Sequence, residues 1–484
     1  MGRRQSAESS PRRVKLGVVW AAVALFVVTR VYLLFFFEPW MSDVFRPYFE
    51  YAVNAVDFGH VPYQAEFKIE YPPVAWWAIR APRLVDSRRI TNPDDVPNAR
   101  RLLASYTQAF RTEMFACDLA SFILLMRIAF RRNPRLAGWA GLSYVVTTAL
   151  FGHLLYDRLD AGLLLLLMLW AFCWTRSLGQ TSRPVAWSAA AYAFLGLSIS
   201  FKLIPIIAVP FLLLSEWHQP RRIARLAAGM LALVVAAVGP FAIQYLESGA
   251  GVLDLFQHHA EREIQIESLY STLMMIGRWF GNTVLVSHSH GAYNLSGDLS
   301  HAMKMLSTVL MFAFLGAIGL WALVRWSGYS RADAYRAVCY VIPATVILAN
   351  VLSPQYFIWA LPMLLLLAIE VFPAAGKGPW IVLALLVAVA VMTTWIMPYN
   401  YTSRVSSHPL IHYADPYFLS PLMCTVLAFR NFTYLGVVVW MGVAFFKTAN
   451  RPTSEPPLPT ATPARQRSAT PDRSLSRRKS RRAS

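Results

Sequence analysis

The chain has 484 residues, 56% hydrophobic and only 15% charged, with a mean hydropathy of +0.42. Soluble domains carry roughly 45–50% apolar and about 25% charged residues, so the composition excludes an ordinary soluble protein and gives an all-α polytopic membrane protein. The net charge of +19 would suit a nucleic-acid binder, but its placement excludes that reading. Residues 1–15 hold five Arg and Lys against Glu8, a net +4, and residues 451–484 hold nine against Glu455 and Asp472, a net +7. Basic tails and basic short loops are the positive-inside pattern of a membrane protein, reinforced by attraction to anionic cytoplasmic lipid.

Taken in chain order, apolar runs predict about twelve spans. They lie near residues 16–37, 106–130, 136–153, 159–175, 184–202, 203–217, 223–246, 300–324, 333–351, 355–372, 379–398 and 420–446. The first run is too long for a secretory signal and reads as the first span. With residue 1 in the cytoplasm, the basic connections at 131–135, 176–183, 218–225 and 325–331 all fall on the cytoplasmic side. The outer face then receives two long segments, 38–105 and 247–299, and a shorter one at 399–419. Long connections with their own amphipathic character are usually functional. The four cysteines (Cys117, Cys173, Cys339, Cys424) sit inside apolar runs without CxxC spacing and read as core residues. The C-terminal segment, rich in Pro, Ser, Thr and Arg, reads as disordered. No internal repeat stands out.

The first outer segment opens with "SDVFRPYFEYAVNAVDF". Its polar residues Asp43, Arg46, Glu50, Asn54 and Asp57 are spaced 3, 4, 4 and 3, which predicts one face of an amphipathic helix lying on the membrane surface. Pro47 is tolerated in a first turn. Asp43 stands at the start, just past the first span. A helix cap from Ser42 or Asp43 is the plainer account of that acid.

The segment continues with "GHVPY" and "EYPP", and further on come "FKLIP" (201–205), "REIQIES" (262–268) and "SPQYFIW" (353–359). An acid after the first span followed by these motifs resembles the GT-C glycosyltransferases. The likeness, over about residues 16–446, is greatest to glycosyltransferase family 87, the polyprenyl-phosphate-mannose-dependent α-mannosyltransferases. It implies a GT-C transmembrane catalytic domain over 16–446, flanked by basic cytoplasmic tails at 1–15 and 447–484. It also implies that Asp43 is the catalytic base on the outer face, and that the substrates are a polyprenyl-phosphate sugar and an envelope glycolipid or glycan.

Such a reaction needs a carboxylate near the acceptor hydroxyl and positive charge near the departing phosphate. Arg262, Lys202 and Arg158 are the outer-face cations, with Arg262 favoured by the resemblance. Plainer accounts stand beside each. Arg262 also reads as a loop arginine paired with Glu261 or Glu263, Lys202 as a side chain snorkelling to the surface, and Arg158 as part of a helix cap with Asp157 and Asp160. Gln265, Glu267, Ser268, Glu70 and Tyr71 offer polar groups for sugar hydroxyls, and Tyr71 or Trp76 a ring for stacking. His258 and His259 suit orientation of the acceptor, whereas Trp76 and Trp77 also read as interfacial aromatics. Asp160, beside Arg158, and Gln355 also count among the donor- or acceptor-binding candidates, with a hinge or a cap as the plainer account of Gln355. A donor with one phosphate gives no evident need for a metal or other cofactor. A transporter of lipid-linked sugars and a non-catalytic subunit of an envelope assembly complex are the competing readings.

Overall fold

Lipid offers backbone groups no partner, so crossing segments close their hydrogen bonds within helices. The computed structural model describes residues 16–38, 42–90, 96–179, 183–217, 219, 222–289, 291–373, 376–400 and 420–449, without the side chains at 153, 259, 260 and 398–400. Residues 1–15, residues 450–484 and most of the third outer segment therefore lie outside the described residues.

The helices run α1 (Leu16–Phe35), α2 (Phe49–Val56), α3 (Pro73–Leu84), α4 (Val96–Arg132), α5 (Ala137–Leu150), α6 (Gly152–Leu155), α7 (Asp160–Leu178), α8 (Pro184–Phe201) and α9 (Val209–Glu216). They continue with α10 (Arg222–Ser248), α11 (Asp254–Glu261), α12 (Leu269–Arg278), α13 (Ser300–Val324), α14 (Arg331–Leu348), α15 (Tyr356–Val371), α16 (Gly378–Thr394) and α17 (Pro421–Ala449). Each expected span falls on a helix. Seven are long and apolar enough to cross a bilayer on length and composition: α1, α7, α8, α13, α16, α17 and α10, the last continuing to His258. The helix at 204–216 and α15 are apolar but shorter, α5 has 14 residues, and α4 and α14 carry ionised side chains. Every residue of α15 from Tyr356 to Ile369 is buried. A helix that is hydrophobic all round belongs inside a bundle, and α14, α17, α5 and α7 surround this one.

Buried charges clip the helix ends into two groups. At one end Arg132 of α4 meets Glu370 of α15 at 2.5 Å, and Glu216 of α9 is held between Arg331 of α14 at 3.0 Å and Arg225 of α10 at 3.8 Å. At the other, Asp160 at the start of α7 accepts from Lys202 just past α8 and from Trp359 of α15, both at 2.8 Å. Between the ends lies a pair that the sequence reading did not anticipate. Arg30 of α1 binds Asp118 of α4 at 2.9 and 3.2 Å, and Tyr144 and Tyr156 donate to the same carboxylate at 2.7 and 2.8 Å.

Two local expectations need correction. The stretch from residue 43 is not one amphipathic helix. A wide π turn, Val44–Tyr48, is interrupted at Arg46 (φ −150°, ψ 123°) before α2 begins. Proline disfavours helical backbone at the residue before it and brings no N–H, so the 3.6-residue rhythm breaks at Arg46-Pro47. The polar stripe divides accordingly: Arg46 and Glu50 pair on the surface, whereas Asp57 is fully buried against Arg83. The second outer segment is not wholly helical either. Ile264–Gln265 (β1), Val284–Ser289 (β2) and Ala292–Gly297 (β3) form an antiparallel sheet in the order β1-β3-β2. The two outer segments touch closely: a Cβ on Gly251 would stand 2.0 Å from the Tyr63 carbonyl oxygen.

Candidate active site

Asp43 is not the cap of its helix, since its side chain makes no capping bond there. Ser42 does that work, its Oγ accepting from the Val44 N–H at 3.2 Å. The Asp43 carboxylate pairs instead with the Arg158 guanidinium, and each side chain keeps 17% of its surface exposed. Burial pushes the Asp43 carboxyl up to about 6, Arg158 pulls against that, and the charges of Glu70, Asp160 and Asp157 add to the rise.

Arg158 sits on the short turn between α6 and α7, where three of its neighbours are each tied to a different partner. Tyr156 donates to Asp118 at 2.8 Å. Asp157 takes a two-pronged bond from Arg111 of α4 at 2.9 and 3.1 Å and a hydrogen bond from Ser42. Asp160 is held by Lys202 and Trp359. With both flanking acids engaged elsewhere, the guanidinium is presented to Asp43 from an over-determined turn.

The first outer segment brings Glu70 and Tyr71 to the same place. Prolines 72 and 73 start α3 directly behind them, and the Tyr63 hydroxyl donates to the Tyr71 carbonyl at 2.6 Å. Tyr71 meets Tyr48 edge-on, with ring centroids 5.5 Å apart. Burial alone would raise the Glu70 carboxyl, but the His258 imidazole 3.3 Å away and the Arg262 charge outweigh it and hold the carboxyl below its ordinary value.

Asp43, Arg158, Asp160, Glu70, Tyr71, His258 and Arg262 thus form one neighbourhood, with Lys202 joined through Asp160. Lys202 does not snorkel: its ammonium lies over the Tyr356 ring, 4.1 Å from the centroid. Glu267 and Ser268 do other work. Glu267 is fully buried on Arg430 of α17, whose guanidinium also donates to the Glu267 carbonyl at 2.5 Å. Ser268 caps α12 through the Ser271 N–H at 3.1 Å. Gln355 accepts from the Ser353 hydroxyl at 2.5 Å and stands as the cap of α15. Trp76 is fully buried, edge-on to Phe67 at 6.2 Å, and so neither faces lipid nor stacks on a sugar. The His259 side chain lies outside the described residues. Among those residues no three His, Cys, Asp or Glu side chains gather as metal ligands.

Sequence reasoning overlooked Arg111 and Tyr48; it counted Asp160 with Arg158 among the binding residues and gave a helix cap by Asp157 and Asp160 as the plainer account. The signal was "YDRLD": two acids flanking one arginine at an outer helix start require partners from elsewhere in the fold.

What the arrangement offers chemically is a carboxylate that ionises near pH 6 beside a cation able to hold an anion. A sequence model of glycosyltransferase family 87 matches residues 99–354. The chain belongs to that family. It is therefore a membrane glycosyltransferase, and the GT-C architecture expected from the sequence goes with family 87. The match takes in Arg158, Asp160, Lys202, His258 and Arg262, whereas Asp43 and Glu70 precede it. Among solved structures, the chain is similar to ArnT from Cupriavidus metallidurans bound to undecaprenyl phosphate, with 17% identity, 90% of this chain and 79% of that one covered, and a TM-score of 0.49. It is also similar to the arabinosyltransferase EmbB from Mycobacterium smegmatis, with 15% identity, 92% and 43% covered, and a TM-score of 0.33. None of the curated proteins matches it.

Proposed function

We propose that this family 87 enzyme transfers a sugar, mannose by family likeness, from a polyprenyl-phosphate donor to an envelope glycolipid or glycan on the outer face. Asp43 takes the proton of the acceptor hydroxyl as its oxygen attacks the anomeric carbon. The bond from that carbon to the phosphate oxygen breaks in the same displacement, so a β-linked donor gives an α-linked product. The departing lipid phosphate carries its negative charge to Arg158, with Arg262 and Lys202 adding positive potential nearby.

One observation carries this reading: the single ion pair of Asp43 with Arg158. The Arg158 guanidinium lies on the Asp43 carboxylate. A donor phosphate competes for the same guanidinium, and each step of its withdrawal raises the proton affinity of Asp43. The base thus strengthens as the donor seats. An apolar groove of about 500 Å³ between α1, α5 and α16, lined by Leu25, Leu33, Phe37, Val146 and Leu150, suits the lipid chain of that donor. It lies against the outer half of α1, directly before Asp43.

The test uses the full chain in lipid nanodiscs with a panel of radiolabelled polyprenyl-phosphate sugars. Asp43→Asn is expected to insert and melt like the wild type while transfer falls by about 10²–10⁴. Undiminished transfer by that variant removes Asp43 as the base, and the panel identifies the sugar.

A further inference from the structure

The three-stranded sheet of the second outer segment has two unlike faces. Cross-strand partners share a face, so Ile264, Leu295 and Val286 point one way, and all three are buried. Gln265, Asn294 and Ser287 form the matching row on the other face, with Ser289 two residues along the same strand. Strands of this kind ordinarily put plain solvated residues on such a face. Here the row has a buried floor and an open rim.

Asn294 and Gln265 make the floor, 3% and 7% exposed. The Asn294 amide donates to the Ser289 hydroxyl at 2.9 Å and to the Ser289 carbonyl at 3.1 Å. Gln265 Oε1 has no donor, although a buried acceptor without one costs about 1–3 kcal/mol. At the rim, the exposed Glu263 carboxylate accepts from Ser287 at 3.1 Å and from Ser289 at 3.3 Å. The face therefore presents a carboxylate and two hydroxyls, with a carboxamide oxygen in need of a proton donor buried beneath them. An anion is repelled by the carboxylate. A ligand with several neutral O–H donors satisfies every group.

The sheet also reaches the reacting centre. Gly291 (φ +67°), at the β2–β3 turn, lies against Glu70: a Cβ there would stand 3.9 Å from Glu70 Oε1. Glu70 is among the carboxylates whose charge acts on Asp43.

We propose that the polar face of this sheet, formed by Glu263, Gln265, Ser287 and Ser289, is the acceptor subsite and holds an uncharged hexose of the acceptor glycan. The inference rests on the glycosyl-transfer reading and adds to it the face and the ligand class. The polyol hydroxyls donate to Gln265 Oε1 and to Glu263, and the two serines turn from Glu263 to the sugar.

The experiment uses the full-length chain in nanodiscs, an α-linked mannobiose as probe, and the variants Ser287→Ala/Ser289→Ala and Glu263→Gln. Binding is read by saturation-transfer NMR, and transfer is read as separate KM values for mannobiose and for the lipid-phosphate donor. The expected result is wild-type melting in both variants, mannobiose binding weakened about tenfold, and an acceptor KM raised to match, with the donor KM moving far less. Equal mannobiose binding by the wild type and the folded variants overturns the subsite, as does no binding by the wild type. Variant-sensitive binding in a protein that transfers from no lipid-phosphate sugar keeps the subsite and overturns the transferase reading instead.

Discussion

Asp43 is where residue-scale chemistry can be tested by pH alone. Its carboxyl is held up at about 6 chiefly by burial, and a general base works only when ionised. Transfer is therefore expected to fall as pH drops through about 6. Two neighbours move that limb in opposite directions. Arg158→Gln removes the charge that lowers the Asp43 value, so the limb shifts to higher pH. Glu70→Gln removes a charge that raises it, so the limb shifts to lower pH. A kcat/KM profile across pH 4.5–8 checks both signs, and a limb that stays put in the two variants detaches the titration from Asp43. At this scale the sequence was informative about residue types and poor about partners. Asp43, Glu70 and Arg158 stood out because acids and arginines beside apolar runs are conspicuous. That Arg158 serves Asp43, and not Asp157 or Asp160, follows from Arg111, Lys202 and Trp359, which arrive from distant helices.

At the scale of elements, the Arg30–Asp118 pair decides how α1 is seated on α4. Both side chains are almost without exposure, and Tyr144 and Tyr156 complete the carboxylate's hydrogen bonds. Removing one member of such a pair strands the other in an apolar interior, which costs about 3–5 kcal/mol. Asp118→Ala is expected to lower the thermal midpoint sharply in detergent. The double variant Arg30→Met with Asp118→Leu should recover much of the loss, because it leaves no charge behind. If the double variant is as unstable as Asp118→Ala, packing and not the stranded charge sets the cost. Tyr156 links this pair to the Arg158 turn, so loosening the pair also loosens the site. None of this was legible from the sequence, where the partners are 88 residues apart and each looks like a lone polar interruption of an apolar run. The helices themselves were legible, since length and hydropathy act locally. The three-stranded sheet was not, because β1 has two residues and pairs with a strand nearly thirty positions later. The break at Arg46-Pro47 could have been anticipated, as the residue before proline resists helical backbone.

At the scale of the whole molecule, the ion pairs divide the helix ends into two sets, and the charge pattern predicts which set faces the cytoplasm. Asp43, Arg158, Asp160, Lys202 and the sheet belong to one end. Arg132–Glu370, Arg225–Glu216 and Arg331–Glu216 belong to the other, together with basic connections. Positive charge in short loops is retained on the cytoplasmic side, so the Asp43 end is expected to face outward, as the proposed transfer requires. Single cysteines give the test. The four native cysteines are buried or half-buried, so a cysteine-free background loses only small core groups. Leu285→Cys, at a position 59% exposed on the sheet, should react with a membrane-impermeant maleimide in intact cells. Ile223→Cys, 77% exposed at the start of α10, should react only after permeabilisation. Labelling in the reverse order would place the site in the cytoplasm, where nucleotide-sugars are at hand and a lipid-phosphate donor gains nothing. The same experiment bears on the number of crossings, because an odd number of spans between residues 223 and 285 puts those two cysteines on opposite sides. In this structure α10 supplies that one crossing.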